Sequence, residues 1–149
     1  MNSVKPLRTA YFDCYSGISG DMILGALIDL GVEEKEIGKA LKKIDLKGYK
    51  FQAKNVQRNG ISGTQIKIVD KLKQNYSHPH RSFSDIKKLI EESDLSSTVK
   101  KNSIKIFEKI AKVEARIHNT TIGKVHFHEV GGVDSIVDIV GSVWAIESL

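Results

Sequence analysis

The dipeptide Asn59-Gly60 constrains the fold of this chain more than any other feature. It lies between two runs, 49–58 and 61–69, rich in strand-forming residues, with Ile66 and Ile68 alternating against polar neighbours. A two-residue hairpin turn needs positive φ at both central positions, which Asn and Gly tolerate best. The spacing therefore predicts a β-hairpin. Gly63, inside the second run, points to a bulge or a close backbone contact. Nothing in the hairpin resembles a reactive group, and it reads as scaffold.

The rest of the 149-residue chain supplies helices and two shorter apolar runs. Residues 9–14 read as a short buried strand that enters a Gly/Ser-rich turn at 16–21. A helix follows over 21–30 and ends at Gly31. A second helix spans 33–44, with acids in its first turn and lysines in its last, as the helix dipole favours. After a polar connection at 71–81, Ser82 or Ser84 caps a helix through Glu91. A long helix over 98–118 carries Ile106, Ile110, Val113 and Ile117 at helical spacing. Residues 125–130 read as a strand, and 133 to the end as a helix apolar on most sides. Together these give an α/β fold: a mixed β-sheet with a β-hairpin, covered by helices. Residues 1–149 read as a single domain. The last helix stops without a cap, so a fragment or split-gene product with a further partner surface is expected.

Charge excludes some functions. The net charge of +5 is spread over lysines on helix faces rather than gathered into a stripe with interleaved aromatics, which argues against nucleic-acid binding. It still favours anionic ligands. Cys14 is the only cysteine, so no internal disulfide can form, as suits a reducing cytoplasm. The longest apolar run, 22–30, is too short for a membrane span and contains Asp29. A cytoplasmic protein is expected.

The chemistry concentrates in Val125-His126-Phe127-His128-Glu129-Val130-Gly131-Gly132-Val133-Asp134-Ser135. On a strand, His126 and His128 leave from one face. With Glu129 beside them and Asp134 past a Gly-Gly turn, they could close on a divalent ion of the nickel, zinc, copper or iron type. Solvated histidines are the plain alternative. His78 and His80 form a second pair in the polar connection, stiffened by Pro79. Glu114 and His118, one helical turn apart, form either a ligand pair or, more commonly, a surface ion pair. Asp134 and Asp138 share a helix face, and Asp138 amid apolar neighbours needs a cation or donors. The turn Ser16-Gly17-Ile18-Ser19-Gly20-Asp21 has the layout of an anion cradle at a helix start. Asp13 and Asp21 at its rim oppose a bare phosphate unless a cation bridges. An ordinary capped turn is the alternative.

Four stretches occur in one order: Tyr11-Phe12-Asp13-Cys14-Tyr15-Ser16-Gly17-Ile18-Ser19-Gly20-Asp21-Met22, Gly60-Ile61-Ser62-Gly63-Thr64, His78-Pro79-His80-Arg81, and His126 through Asp138. Their sequence closely resembles the LarC family, nickel-insertion proteins of nickel-pincer nucleotide biosynthesis. The resemblance runs almost end to end, with Gly131-Gly132 where the family favours Gly-Ala. It implies a cyclometallase of the lyase class. Nickel is inserted into pyridinium-3,5-bisthiocarboxylic acid mononucleotide while CTP is hydrolysed to CMP and pyrophosphate. A second divalent ion, manganese or magnesium, assists, and the product serves enzymes of the lactate racemase type. Family members carry a further C-terminal domain, implicated in CTP binding, as a partner.

On this reading His78, His80, His126, His128 and Glu129 are candidate nickel ligands, with His128 and Glu129 placed to accept a proton. Asp13, Asp21, Asp134 and Asp138 are candidates for the second ion or for orienting the histidines. Ser16, Gly17, Ser19 and Gly20 are candidates for a phosphate. No nucleic-acid or membrane partner is expected, and an oligomer is left open. The alternative is a non-catalytic nickel-binding module that delivers the ion to the C-terminal domain.

Overall fold

The computed structural model describes residues 9–70, 81–127 and 130–149. The hairpin forms where Asn59-Gly60 places it. Strands β1 (Tyr49–Arg58) and β2 (Ile61–Asp70) pair antiparallel, with Arg58 opposite Ile61. Asn59 (φ 50°) and Gly60 (φ 82°) both take the left-handed conformation that the turn demands. The register runs unbroken through Val56 and Gly63, so there is no bulge at Gly63.

Five α-helices complete the fold: α1 (Gly20–Asp29), α2 (Glu34–Leu41), α3 (Phe83–Glu91), α4 (Ser97–Ile117) and α5 (Val133–Ser148). Gly31, at φ 105°, turns the chain out of α1. Ser82 starts α3 through a capping box: its hydroxyl accepts from Asp85 N (3.2 Å), and Asp85 Oδ2 accepts from Ser82 N (2.8 Å). Ser96 caps α4 by accepting from Val99 N and also donates to Glu147 on α5 (2.8 Å).

Helix α5 sits at the centre, packed on α1, α2 and α4. Ile136, Val137, Val140 and Ala145 are fully buried there, against a core that includes Leu24, Leu41 and Phe107. Each such side chain contributes roughly 1.5–3 kcal/mol by leaving water. This burial explains why α5 is apolar on most sides. The hairpin joins the cluster through the α1–β2 contact, where Gly25 brings the helix against the strand backbone: a Cβ there would lie 2.3 Å from Thr64 O. The close approach thus falls at Gly25, on the helix side of the junction.

Two expected strands do not appear among the described residues. Residues 9–14 are exposed coil, with Tyr11 88 % accessible, because no described strand lies beside them to pair with. Among the described residues of 125–130, His126 makes a β-bridge, with Ser82. The α/β class stands, but among the described residues the sheet is the antiparallel hairpin alone. No described helix is long and apolar enough to cross a membrane.

Candidate functional site

Two neighbourhoods hold the described candidate residues. The first is built by backbone. Phe83 N donates to Val125 O (3.0 Å) and Phe127 N donates to Arg81 O (3.2 Å), which clamps residues 81–83 to 125–127. Val125 and Phe127 turn into the core at 2 % exposure each, and the alternation sends His126 outward. Gly131 lets the chain fold back: a Cβ there would meet Phe127 O at 3.0 Å and Arg81 O at 3.2 Å. Arg81 Nη1 donates to Gly131 O (3.2 Å) and fixes this turn.

Asp85 belongs to the same neighbourhood. The Ser82 hydroxyl and N–H, with His126 and Arg81 nearby, hold its carboxyl below the usual range. The capping bonds are the largest cause. Sequence reasoning missed this carboxylate beside His126, although the Ser82-x-x-Asp85 spacing carried the signal. His78, His80, His128 and Glu129 lie outside the described residues.

The second neighbourhood gathers carboxylates where α1 meets α5. A Cβ at Gly20 would lie 2.4 Å from Asp138 Cβ, so the missing side chain is what admits Asp138. Burial pushes the Asp138 carboxyl up to about 7, with the charges of Asp21 and Asp134 adding to the effect. Its Oδ1 is buried without a hydrogen-bond partner. A lone oxygen of this kind lacks the donor that a buried carboxylate needs. Asp21 is half-buried; its Oδ1 accepts from Met22 N (2.9 Å) and from the Ser19 hydroxyl. Ser19 occupies the N-cap position of α1, but its side chain makes no cap bond to the backbone.

Asp13, Ser16 and Gly17 are exposed, with Gly17 in a turn closed by its N–H to Cys14 O (2.9 Å). The space before Gly20 is taken by a carboxylate, so this end of α1 attracts cations more than phosphate. No set of three or more His, Cys, Asp or Glu side chains among the described residues stands ready to hold a metal ion. The three coupled aspartates therefore match a cation in charge without being drawn in around one. Glu114 Oε2 and His118 Nε2 lie 3.2 Å apart, one helical turn from each other.

Comparison with known proteins gives this arrangement a family. The family model described as nickel insertion protein matches residues 10–149. The chain belongs to that family. A pyridinium-3,5-bisthiocarboxylic acid mononucleotide nickel insertion protein of Akkermansia muciniphila is 45% identical over 148 residues, covering 96% of this chain and 36% of that protein. Proteins of the same name from Desulfitobacterium hafniense (48% identical over 137 residues, 92% and 33% covered) and Geobacillus kaustophilus (45% over 149 residues, 96% and 36%) agree. The chain spans about a third of the length of these nickel insertion proteins. No solved structure matches it.

Proposed function

We propose that the chain takes part in inserting nickel into pyridinium-3,5-bisthiocarboxylic acid mononucleotide, as one domain of a longer assembly that includes the C-terminal domain. The family match over residues 10–149, with relatives named for that reaction, carries the reading. The clamp between residues 81–83 and 125–127 supports it, because both histidine-bearing segments of the sequence are covalently continuous with it.

Forming a nickel–carbon bond requires an ion held beside the ring carbon and a base for that carbon's proton. The C–H electron pair passes to nickel, and the proton passes to the base. Imidazoles leave coordination positions open to the thiocarboxylates. We assign nickel, the cargo, to His126 with His78, His80, His128 and Glu129, and the proton to His128 or Glu129. Asp85 orients His126 electrostatically. The Asp138 oxygen without a partner, with Asp21 and Asp134, fits a second divalent ion, manganese or magnesium, which supplies charge neutralisation there. Asp13 is placed in the same role at longer range. CTP is the co-substrate in this reading, and a lactate racemase-type enzyme is the acceptor.

Incubation of the chain with nickel, substrate and CTP, alone and joined to the further two-thirds of its relatives, tests the proposal by mass spectrometry of the product. Product from the chain alone eliminates the delivery-module alternative. That alternative predicts product only from the joined protein. Loss of product on His126→Ala supports the ligand assignment. Nickel titration that releases no heat and is indifferent to His126→Ala overturns the whole reading.

A further inference from the structure

The motif Gly60-Ile61-Ser62-Gly63-Thr64 has no part in the chemistry above, yet its last four residues line a groove of about 520 Å³ between α1 and the hairpin. That volume lies within the range of small-molecule sites. Its apolar walls are open to solvent: Met22 on α1 is 61% exposed and Ile61 on β2 is 76% exposed. Arg58 is the one cationic side chain among the described residues of the lining, and its side chain makes no ion pair or hydrogen bond with any described residue.

Two acids also face the groove, and they differ. Both oxygens of Asp29 are occupied by Thr64, through its N–H (3.1 Å) and its hydroxyl (2.6 Å). Asp21 is not tied to the hairpin and belongs to the carboxylate neighbourhood around Asp138. The groove thus presents a guanidinium without a partner among the described residues, the Asp21 carboxylate and apolar walls, and Asp21 is the one aspartate assigned to the second ion that lines it.

A pyridinium mononucleotide is the complement of that set. Its ring is flat, with a cationic nitrogen and two anionic thiocarboxylates, its ribose carries hydroxyls and its phosphate is anionic. We propose that this groove seats the mononucleotide, with Arg58 contacting the phosphate, Ser62 the ribose, and Met22 and Ile61 the ring. Gly63 keeps the floor open. The assignment rests on the nickel-insertion reading and moves the phosphate away from Gly20, where Asp138 would repel it.

Calorimetric titration with the pyridinium mononucleotide and with ribose 5-phosphate tests the assignment, alongside a nickel titration of the same proteins. A charge-assisted bond to phosphate corresponds to about 10- to 100-fold in affinity. Arg58→Gln should weaken the mononucleotide by at least about tenfold and abolish ribose 5-phosphate binding, with nickel binding unchanged. Gly63→Leu should block the groove; a Cβ there meets only Asp29 Oδ2, at 3.7 Å, so the fold has room for it. If that variant fails to fold, Arg58→Gln decides alone.

Lys54→Gln removes a strand charge outside the groove and should change nothing. Wild-type affinity in Arg58→Gln, or an equal loss in Lys54→Gln, overturns the proposal. So does a protein that binds nickel but not the mononucleotide, and in that case the nickel reading survives. Mononucleotide binding that depends on Arg58 in a protein deaf to nickel upholds the groove and overturns the nickel reading.

Discussion

Helix α1 approaches two neighbours through glycine, and the two contacts differ in how their polar groups are satisfied. At Gly25 the helix lies against β2, and the junction is closed by Asp29, whose oxygens both accept from Thr64. At Gly20 the helix lies against Asp138 of α5, and one oxygen of that carboxylate has no partner. The same device, a missing side chain, builds a finished joint in one place and an unfinished one in the other. A finished joint serves the fold. An unfinished one, close to two further carboxylates, leaves a polar demand that the described residues do not meet.

The comparison can be broken most sharply at Gly25. A Cβ 2.3 Å from a strand carbonyl cannot be absorbed by side-chain motion, so Gly25→Ala should destabilise by about 2–3 kcal/mol in urea unfolding, outweighing the helix propensity gained. A smaller loss, about 1–2 kcal/mol, is expected of Thr64→Val, which removes the hydroxyl donor to Asp29.

Asp138→Asn should act in the opposite direction and raise stability at neutral pH by about 1 kcal/mol, a figure reduced for solvent screening at a half-buried group. The sign follows from the folded carboxyl lying at about 7, above its ordinary 3.8. Between those values the unfolded chain ionises and the folded one resists. Stability of the natural protein should therefore fall as pH rises from about 4 to 7 and level off above that. Unfolding curves at pH 4, 5.5 and 7.5 should show the gap between the two proteins opening across this window. A constant gap would mean that Asp138 ionises normally. Glu114→Gln, far from both joints at the exposed His118 pair, should shift stability by less than about 0.5 kcal/mol.

What could be read from the sequence follows the range of each signal. Asn59-Gly60 and the helix caps act over a few residues, and the elements they bound formed where expected. Strand pairing is not local. The reading of 125–130 as a strand put His126 on one face, but it could not say that Val125 and Phe127 would turn into the core or that, among the described residues, a bridge to Ser82 is the pairing His126 makes. The run at 9–14 was apolar enough for a strand and has no neighbour among the described residues to complete it. Asp138 was legible as a carboxylate in need of company. That its company would be Asp21 depended on α1 and α5 meeting at Gly20, which no spacing announces.

The backbone clamp between residues 81–83 and 125–127 has a bearing on cargo handling. Because main-chain amides tie these segments together unaided, an ion bound beside them is not a structural rivet. Chelators should strip it and leave the thermal transition where it was, unlike a zinc finger, whose shape collapses with its metal. If the proposed nickel role holds, a domain whose architecture is indifferent to such an ion can release it without unravelling.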